Sequence, residues 1–316
     1  MIGLIMFGTT LMLLLVGFPV AFTFAGVAVI FGILTQGVDL FGFMPYRIMS
    51  VMENTILMAV PLFIFMGIVL QKTKLAEQLL EAMGDLFGNM RGGLAISTIL
   101  VGSLLAASTG VVGASVIAMG VISLPVMLKH NYKKTLSTGV ICASGTLGQI
   151  IPPSIVLIIL ADVLGVPVGD LFKGAVMPSL VLVGGYILYV LIVSYLDKEA
   201  APVFISKNHK LKKSEKYLAV AKAIVPPITL IIAVLGSIFS GIATPTESAS
   251  IGAVGSLFLA LIYKRLNWNM VRESSIETIK VTSMVFAILI GATAFSMVFT
   301  YSGGDILVEE FIMGLP

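Results

Sequence analysis

Residues 94–128 form an apolar run of 35 positions that contains no charged side chain. A helix that crosses a bilayer needs about 20 apolar residues, within a range of about 17–25. The run is therefore too long for one crossing helix. Near its centre, the stretch AASTGVVGAS at 106–115 places hydroxyl side chains and glycines where a straight helix would continue. This pattern predicts two helices joined by a turn near residues 108–113.

The charges beside this run indicate how it enters and leaves the membrane. Arg91 precedes it, and Lys129, Lys133 and Lys134 follow it. Cytoplasmic loops carry an excess of Lys and Arg, so both ends of the run are expected on the cytoplasmic side. We therefore interpret 94–128 as a re-entrant hairpin that dips into the membrane and returns.

The composition extends this interpretation to the whole chain. Hydrophobic residues make up 58% of the 316 positions and charged residues 11%, and the mean hydropathy is +1.09. Soluble domains carry about 25% charged residues, so we predict an all-α polytopic membrane protein. The apolar segments are long and continuous rather than alternating, which argues against a barrel. The segments are 2–16, 20–35, 55–71, 94–128, 135–165, 178–196, 218–239, 247–263 and 277–300.

A second over-long segment, residues 135–165, is interrupted by the sequence Ile-Pro-Pro-Ser at 151–154. Pro152 and Pro153 have no N–H group, so carbonyls one turn earlier are expected to lose their partners. The segment is therefore predicted to be a broken helix with free carbonyl groups near its break.

The two halves of the chain resemble each other in a way that indicates an inverted repeat. GFPVAFTFAGVAVI at 17–30 aligns with ATPTESASIGAVGSL at 243–257, and LLEAMG at 79–84 aligns less clearly with EEFIMG at 309–314. The basic loops place the first copy's start outside and the second copy's start inside, which is typical of secondary transporters. Chance alignment of apolar segments is the alternative.

The repeat also divides the chain into predicted sections. We expect scaffold helices and an interfacial helix in 1–91, the first hairpin and broken helix as a transport domain in 92–170, a span and basic loop in 171–217, and the start of the second repeat in 218–316. The partner of the first hairpin would begin near residue ~323. We therefore expect the second hairpin to be missing through C-terminal truncation.

The two breaks supply a candidate ion or substrate site. A hairpin tip offers free carbonyls and N–H groups, and hydroxyl oxygens add ligands for a hard cation such as Na⁺. The candidate Na⁺ ligands are Ser108, Gly110, Ser144 and Thr146, and the wider candidate site adds Thr109, Gly113, Gly145 and Pro152. The alternative is that these small residues only allow helices to pack closely.

The second repeat contributes three further candidates, Thr244, Thr246 and Glu247. Glu247 could pair with a backbone group near a helix start, or it could be an ordinary charge at a helix N-terminus. No enzyme constellation is present: His130 and His209 lack metal-ligand spacing, and the chain has no phosphate-binding loop of its own. We predict neither an enzyme nor a nucleic-acid-binding protein, and an ion gradient would be the energy source.

Three stretches carry a family resemblance. STGVVGASVIAMGVISLPVMLKHNY, GTLGQIIPPSIVLIIL and ATPTESASIGA resemble the large membrane subunit, DctM, of the tripartite ATP-independent periplasmic (TRAP) transporters. Many members have Ser-Gly-Ser at the hairpin tip, where this chain has Ser108-Thr109-Gly110.

The resemblance implies an elevator-type, sodium-coupled importer of organic acids in a bacterial inner membrane. Substrates of the C4-dicarboxylate, keto acid or sugar acid type would be delivered by a periplasmic substrate-binding protein, and a small DctQ-like membrane subunit would pack against the scaffold. Two alternatives remain: a self-sufficient ion or anion transporter of related fold, and an inactive truncated fragment.

Overall fold

The computed structural model describes residues 2–87, 90–110, 112–203 and 213–314, and these residues are helical apart from turns and one isolated backbone bridge. The helices are α1 Ile2–Val16, α2 Val20–Gln36, α3 Met44–Met52, α4 Ala59–Lys72, α5 Leu75–Phe87, α6 Gly93–Thr109, α7 Val112–Lys129, α8 Lys134–Thr146, α9 Ile155–Leu164, α10 Val168–Leu196, α11 Lys213–Phe239, α12 Pro245–Ile262, α13 Trp268–Tyr301 and α14 Gly304–Met313. Short 3-10 turns cover Val38–Phe43 and Leu147–Gln149. This confirms the predicted all-α class.

Four of the described helices are long and apolar enough to cross a membrane. They are Val168–Leu196, Val220–Phe239, Pro245–Ile262 and Trp268–Tyr301, and a fifth crossing is counted if α4 and α5, which bend by 57°, are one span. Helices α1 and α2 are apolar but shorter, with 15 and 17 residues. The chain is thus a multi-pass membrane protein.

Helix α10 begins ten positions earlier than the apolar segment predicted at 178–196. Its first turns carry Asp170 and Lys173, which end an apolar run but do not end a helix. Asp170 lies where an acidic side chain is favoured by the helix dipole, so the helix extends beyond its hydrophobic part.

The chain forms two compact units. The first comprises Met1–Asn54 and Ile279–Pro316, and its core contains Met6 of α1, Val27 of α2 and Val298 of α13. Within this unit α2 and α13 approach closely, because a Cβ on Gly291 would lie 2.7 Å from the Ala21 carbonyl oxygen.

The second unit comprises Thr55–Thr278 and contains both predicted breaks. Helix α6 ends at Thr109 and α7 begins at Val112, while α8 ends at Thr146 and α9 begins at Ile155. Helices α5, α6, α7 and α8 pack around one core that includes Leu79, Ile99, Met119 and Val140. Both over-long segments are therefore interrupted where the sequence predicted.

The two ends of the hairpin meet at its base. The Leu94 N–H donates to the Tyr132 hydroxyl at 3.3 Å, and Thr98 Oγ1 lies 3.9 Å from Met127 Sδ. These contacts place the start of α6 beside the end of α7, so the two arms run antiparallel. A chain that enters and leaves the membrane on one side requires this arrangement.

The loop after α10 fastens to the same base. The Gly92 and Lys133 N–H groups donate to the carbonyls of Ala201 and Ala200 at 3.2 and 3.1 Å, and Lys133 forms an ion pair with Asp197. The start of the basic loop 197–217 therefore lies beside both ends of the hairpin, which agrees with their common predicted side.

Each unit contains packing pairs that the predicted repeat relates. The repeat matches α2 with α12 and α5 with α14. In the second unit α12 packs on α4 and α5 packs on α11; in the first, α2 packs on α13 and α14 packs on α1. In sequence, α4 is the next long helix after α2, and α13 is the next long helix after α12, so the repeat also matches α4 with α13. The packing pairs of the two units therefore correspond, and this supports an internal repeat. The four sections predicted from the sequence stay predictions.

Candidate functional site

Gly110 closes the first arm of the hairpin. Its φ of +61° lies in the left-handed region, and its N–H donates to the Ala106 carbonyl at 3.1 Å. Glycine reaches this conformation without steric cost. A Cβ at this position would also lie 3.1 Å from side-chain atoms of Ile155, so the hairpin tip sits directly against the start of α9.

Gly110 is the third member of a row of small residues on one face of α6. Gly102, Ala106 and Gly110 are spaced by four and therefore lie above one another. A Cβ on Gly102 would lie 2.6 Å from Ser144 Cβ, and a Cβ on Gly148 would lie 2.6 Å from the Ala106 carbonyl oxygen. The row allows the broken helix to approach the backbone of α6, and the small-x-x-x-small spacing would have revealed it in the sequence.

The second arm makes a similar contact with α8. A Cβ on Gly145 would lie 2.4 Å from Val116 Cγ2 and 2.9 Å from its Cα. The interpretation of the small residues as packing residues therefore holds for Gly145, whatever else the position does. Gly113, in contrast, is exposed and has open space around it.

The hydroxyls predicted to bind Na⁺ have different surroundings. Ser144 is fully buried and donates to the Ile141 carbonyl at 3.1 Å, whereas Thr146 is exposed and donates to the Ala143 carbonyl at 2.8 Å. A hydroxyl that donates its hydrogen keeps acceptor lone pairs, so the Thr146 oxygen remains available to a cation. The side chains of Ser108 and Thr109, predicted at the tip, lie outside the described part.

The predicted site residues contact α6 at different heights. Ser144 packs at Gly102, eight residues before Gly110, which corresponds to about 12 Å along a helix. Gly148 and Ile155 lie closer to the tip. The structure thus brings the two breaks together as elements, and joint coordination by Ser108, Gly110, Ser144 and Thr146 stays a prediction.

The break at Pro152 differs from the expectation in one respect. The Gln149 carbonyl, expected to be free one turn before Pro153, accepts a hydrogen bond from Ser154 Oγ at 2.6 Å. The next carbonyl, of Ile150, accepts one from Ser179 Oγ at 3.1 Å. Hydroxyls from the following helix and from α10 replace the missing N–H donors, so these two carbonyls are not left without hydrogen-bond partners, as the sequence had suggested.

The candidates of the second repeat form a capping box at the start of α12. The Glu247 carboxylate accepts from the Thr244 N–H at 2.7 Å and from its hydroxyl at 2.8 Å, and the Glu247 N–H donates to Thr244 Oγ1 at 3.3 Å. Thr246 Oγ1 donates to the Thr55 carbonyl at 2.8 Å. Glu247 therefore does pair with a backbone group, and the Thr-x-x-Glu spacing was the sequence signal for this box.

A helical hairpin that turns within an apolar segment, packed against a broken helix, defines a class: multi-pass membrane permeases whose irregular backbone is enclosed by protein. The family model described as the DctM component of the tripartite ATP-independent periplasmic transporter matches residues 7–316. The chain belongs to this family, whose members are transport permeases and not enzymes.

Individual relatives agree with the family match. The chain is 33% identical to the C4-dicarboxylate TRAP transporter large permease protein DctM of Pseudomonas aeruginosa over 80% of its length, and 28% identical to the protein of the same name from Rhodobacter capsulatus over 96%. It is 28% identical to the ectoine TRAP transporter large permease protein TeaC of Halomonas elongata over 94%. The matches span 58%, 70% and 69% of these relatives' own lengths.

Proposed function

We propose that the chain acts as the large permease of a sodium-coupled importer of organic acids in a bacterial inner membrane. The observation that carries this proposal is the pairing of the hairpin tip at Gly110 with the start of α9 at Ile155, inside a chain that belongs to the DctM family. Two interrupted helices that meet at membrane depth are the usual setting for substrate and coupling-ion sites in secondary transporters.

In this proposal the Na⁺ site lies at the hairpin tip. The last carbonyls of α6 carry the negative end of the helix dipole, and hydroxyl oxygens of Ser108 and Thr146 add uncharged ligands. The organic acid would bind beside it, where the first N–H groups of α7 offer the positive end of a dipole to a carboxylate. A bound Na⁺ would then favour binding of the organic acid, because the positive charge of the cation offsets the negative charge of the carboxylate.

The transport step we propose is of the elevator type. The hairpin, the broken helix and α10 would move as one body, since the base of the hairpin is hydrogen-bonded to the loop after α10. Such motion changes the side to which the site opens and leaves its ligands in place.

The substrate class stays broad. The relatives carry C4-dicarboxylate and ectoine in their names, so family membership alone selects no compound. We propose a C4-dicarboxylate, keto acid or sugar acid, delivered by a periplasmic substrate-binding protein, with a small DctQ-like membrane subunit as the second partner.

The test is uptake by the complete assembly in proteoliposomes, across a panel of organic acids. We expect accumulation only when a binding protein is present and Na⁺ is higher outside. The variants Ser108→Ala and Thr146→Ala should raise the Na⁺ concentration for half-maximal uptake by about tenfold, because each removes one ligand worth roughly 1.4 kcal/mol.

Thr138→Ala is the matched control. Thr138 is also exposed on α8 and also donates to a backbone carbonyl of its own helix, but it lies two turns from the break. Its Na⁺ dependence should be unchanged. Uptake that ignores Na⁺ would reject the proposal, and uptake without any binding protein would favour the self-sufficient transporter instead.

A further inference from the structure

A polar cavity of about 570 Å³ lies within the second unit, beside the second arm of the hairpin. One wall is formed by α7 at Ala118, Val121 and Ile122. The other wall comes from the turn between α4 and α5 and from the turn between α12 and α13, which carry charged side chains. We call this space the α7 cavity. Its volume falls within the range of about 300–1,000 Å³ that is typical of small-molecule sites.

The two charged turns place the α7 cavity at the cytoplasmic end of the unit. Lys72 and Lys74 belong to the first turn, and Lys264 and Arg265 belong to the second. Because Lys and Arg are enriched in cytoplasmic loops, both turns are expected on that side of the membrane. Trp268, which is 78% exposed, has the position of an aromatic side chain at a membrane–water interface. The cavity therefore lies where cytoplasmic water reaches it.

An exposed face of α7 connects this cavity with the hairpin tip. Gly113, Ile117 and Val121 are spaced by four residues and therefore lie on one side of the helix. Ile117 is 69% exposed and Val121 is 71% exposed, and Gly113 is exposed as well. The eight positions from Gly113 to Val121 cover about 12 Å of helix. A small molecule that leaves the tip along this face reaches the α7 cavity.

Ion pairs within the cavity wall leave one cation without a partner. Lys72 Nζ lies 2.9 Å from Glu273 Oε2, and Lys74 Nζ lies 3.7 Å from Glu77 Oε2. Among the described residues, these are the two carboxylates that line the cavity. The Arg265 guanidinium forms no ion pair with any described residue. Three cations and two carboxylates give the described lining a net charge of +1.

The backbone of Arg265 is held in place, whereas its side chain is available to a ligand. Its N–H donates to the Ala260 carbonyl at 2.9 Å, and its own carbonyl accepts from Asn267 Nδ2 at 3.4 Å. A guanidinium binds a carboxylate through two parallel N–H···O bonds. Arg265 is exposed, and an exposed ion pair is weak. Weak binding suits a site from which a transported anion has to leave.

We propose that the α7 cavity is a cytoplasmic anion site, in which Arg265 binds a carboxylate of the organic acid after the acid leaves the hairpin tip. The apolar wall at Val121 contacts the aliphatic part of the acid. This inference rests on the proposed import of organic acids and adds a residue that receives the substrate on the release side.

The first experiment measures how fast charged thiol reagents modify a cysteine in the cavity. Val121→Cys is placed in the full chain together with Cys142→Ser, which removes the free native cysteine, and is studied in inverted membrane vesicles. The reagents are anionic methanethiosulfonate ethylsulfonate and its cationic ethyltrimethylammonium analogue. Arg265→Gln should lower the ratio of the anionic to the cationic rate about tenfold, because the loss of one nearby positive charge slows the anion and speeds the cation.

Lys264→Gln is the matched control. Lys264 is the exposed neighbour of Arg265 and carries the same charge, but it lies outside the cavity lining. Its removal should leave the ratio of rates unchanged, and Arg265→Lys should retain most of that ratio. The proposal is overturned if the Val121→Cys variant does not react from the cytoplasmic side, or if Arg265→Gln and Lys264→Gln give the same ratio.

The second experiment measures carboxylate binding to the purified full chain in detergent. Potassium succinate should slow modification of the Val121→Cys variant by the anionic reagent severalfold, relative to potassium chloride of equal ionic strength. The effect should vanish when Arg265→Gln is also present. Added phosphatidylglycerol tests a lipid phosphate as the occupant. The absence of an effect of succinate overturns the proposal, and slowing by phosphatidylglycerol in its place assigns Arg265 to a lipid headgroup.

This inference and the proposed function fail separately, because neither experiment uses Na⁺, a binding protein or transport. Uptake that ignores Na⁺ would reject the sodium-coupled importer and leave the anion site intact. Succinate that gives no protection would remove Arg265 from the release path and leave the importer intact.

Discussion

Individual glycines, which have no Cβ, determine how closely the hairpin and the broken helix approach each other. Gly148 faces the backbone of α6 at Ala106, and Gly110 faces Ile155. A backbone atom cannot rotate away as a flexible side chain can, so the absence of a Cβ at Gly148 is a condition for this contact. The same residues that suggested an ion site are therefore also packing residues.

Gly148→Ala tests this at one position. The new methyl group would lie 2.6 Å from the Ala106 carbonyl oxygen, and such overpacking typically costs about 1–3 kcal/mol. We expect a lower thermal midpoint of the purified protein. Gly139→Ala, on an exposed part of α8 with open space around it, should leave the midpoint unchanged or raise it, because alanine favours helix. Equal midpoints for the two variants would show that the contact at Ala106 is not tight.

The hairpin is held as an element by its base. Tyr132, which is 3% exposed, accepts a hydrogen bond from the Leu94 N–H at the start of α6. The first N–H groups of a helix have no partner within it, so the tyrosine satisfies one of them and joins the two arms outside the membrane-spanning segments.

Tyr132→Phe should lower stability by about 1–3 kcal/mol, because it leaves a buried N–H without an acceptor. Tyr189→Phe, at an exposed position on α10, is the control and should have no effect. A thermal scan of both variants is sufficient. Unchanged stability of Tyr132→Phe would mean that the base is held by its other contacts alone.

The same tyrosine predicts an alkaline limit of stability. Burial raises the pKa of Tyr132 to about 12, against about 10 in an unfolded chain. Since the pKa is higher in the folded state, the contribution of neutral Tyr132 to folding stability is complete below pH 10 and is lost as the pH rises toward 12. Absorbance titration near 295 nm should show a late-ionising tyrosine that Tyr132→Phe removes; a Tyr132 that ionises near pH 10 would contradict the burial of its side chain.

For the whole molecule, features that depend on neighbouring residues were predictable from the sequence, and features that depend on distant residues were not. Interruptions of apolar segments were predictable, since Gly110 and Pro152–Pro153 disrupt helices locally. The partner of the Ile150 carbonyl was not, because Ser179 lies 29 residues away in sequence. The early start of α10 was not predicted, because the polar first turns of this helix have the low hydropathy that is typical of a loop.

The internal repeat yields a prediction that compares both units. Gly291 of α13 faces the backbone of α2, where a Cβ would lie 2.7 Å from the Ala21 carbonyl oxygen; Gly252 of α12 faces α4, where a Cβ would lie 2.6 Å from Met66 Sδ. Methionine adapts more easily than backbone. Gly291→Ala should therefore lower the thermal midpoint more than Gly252→Ala. The opposite order would contradict the assigned contacts.

The most direct test of the account is the sidedness of the hairpin ends. In a Cys142→Ser background, which removes the free and exposed native cysteine, single cysteines replace Arg91, Lys129 or Ile242. An impermeant maleimide should label Arg91→Cys and Lys129→Cys only in inverted vesicles, and Ile242→Cys only in right-side-out vesicles. Labelling of positions 91 and 129 from opposite sides would show that residues 94–128 cross the membrane, and the re-entrant hairpin would be wrong.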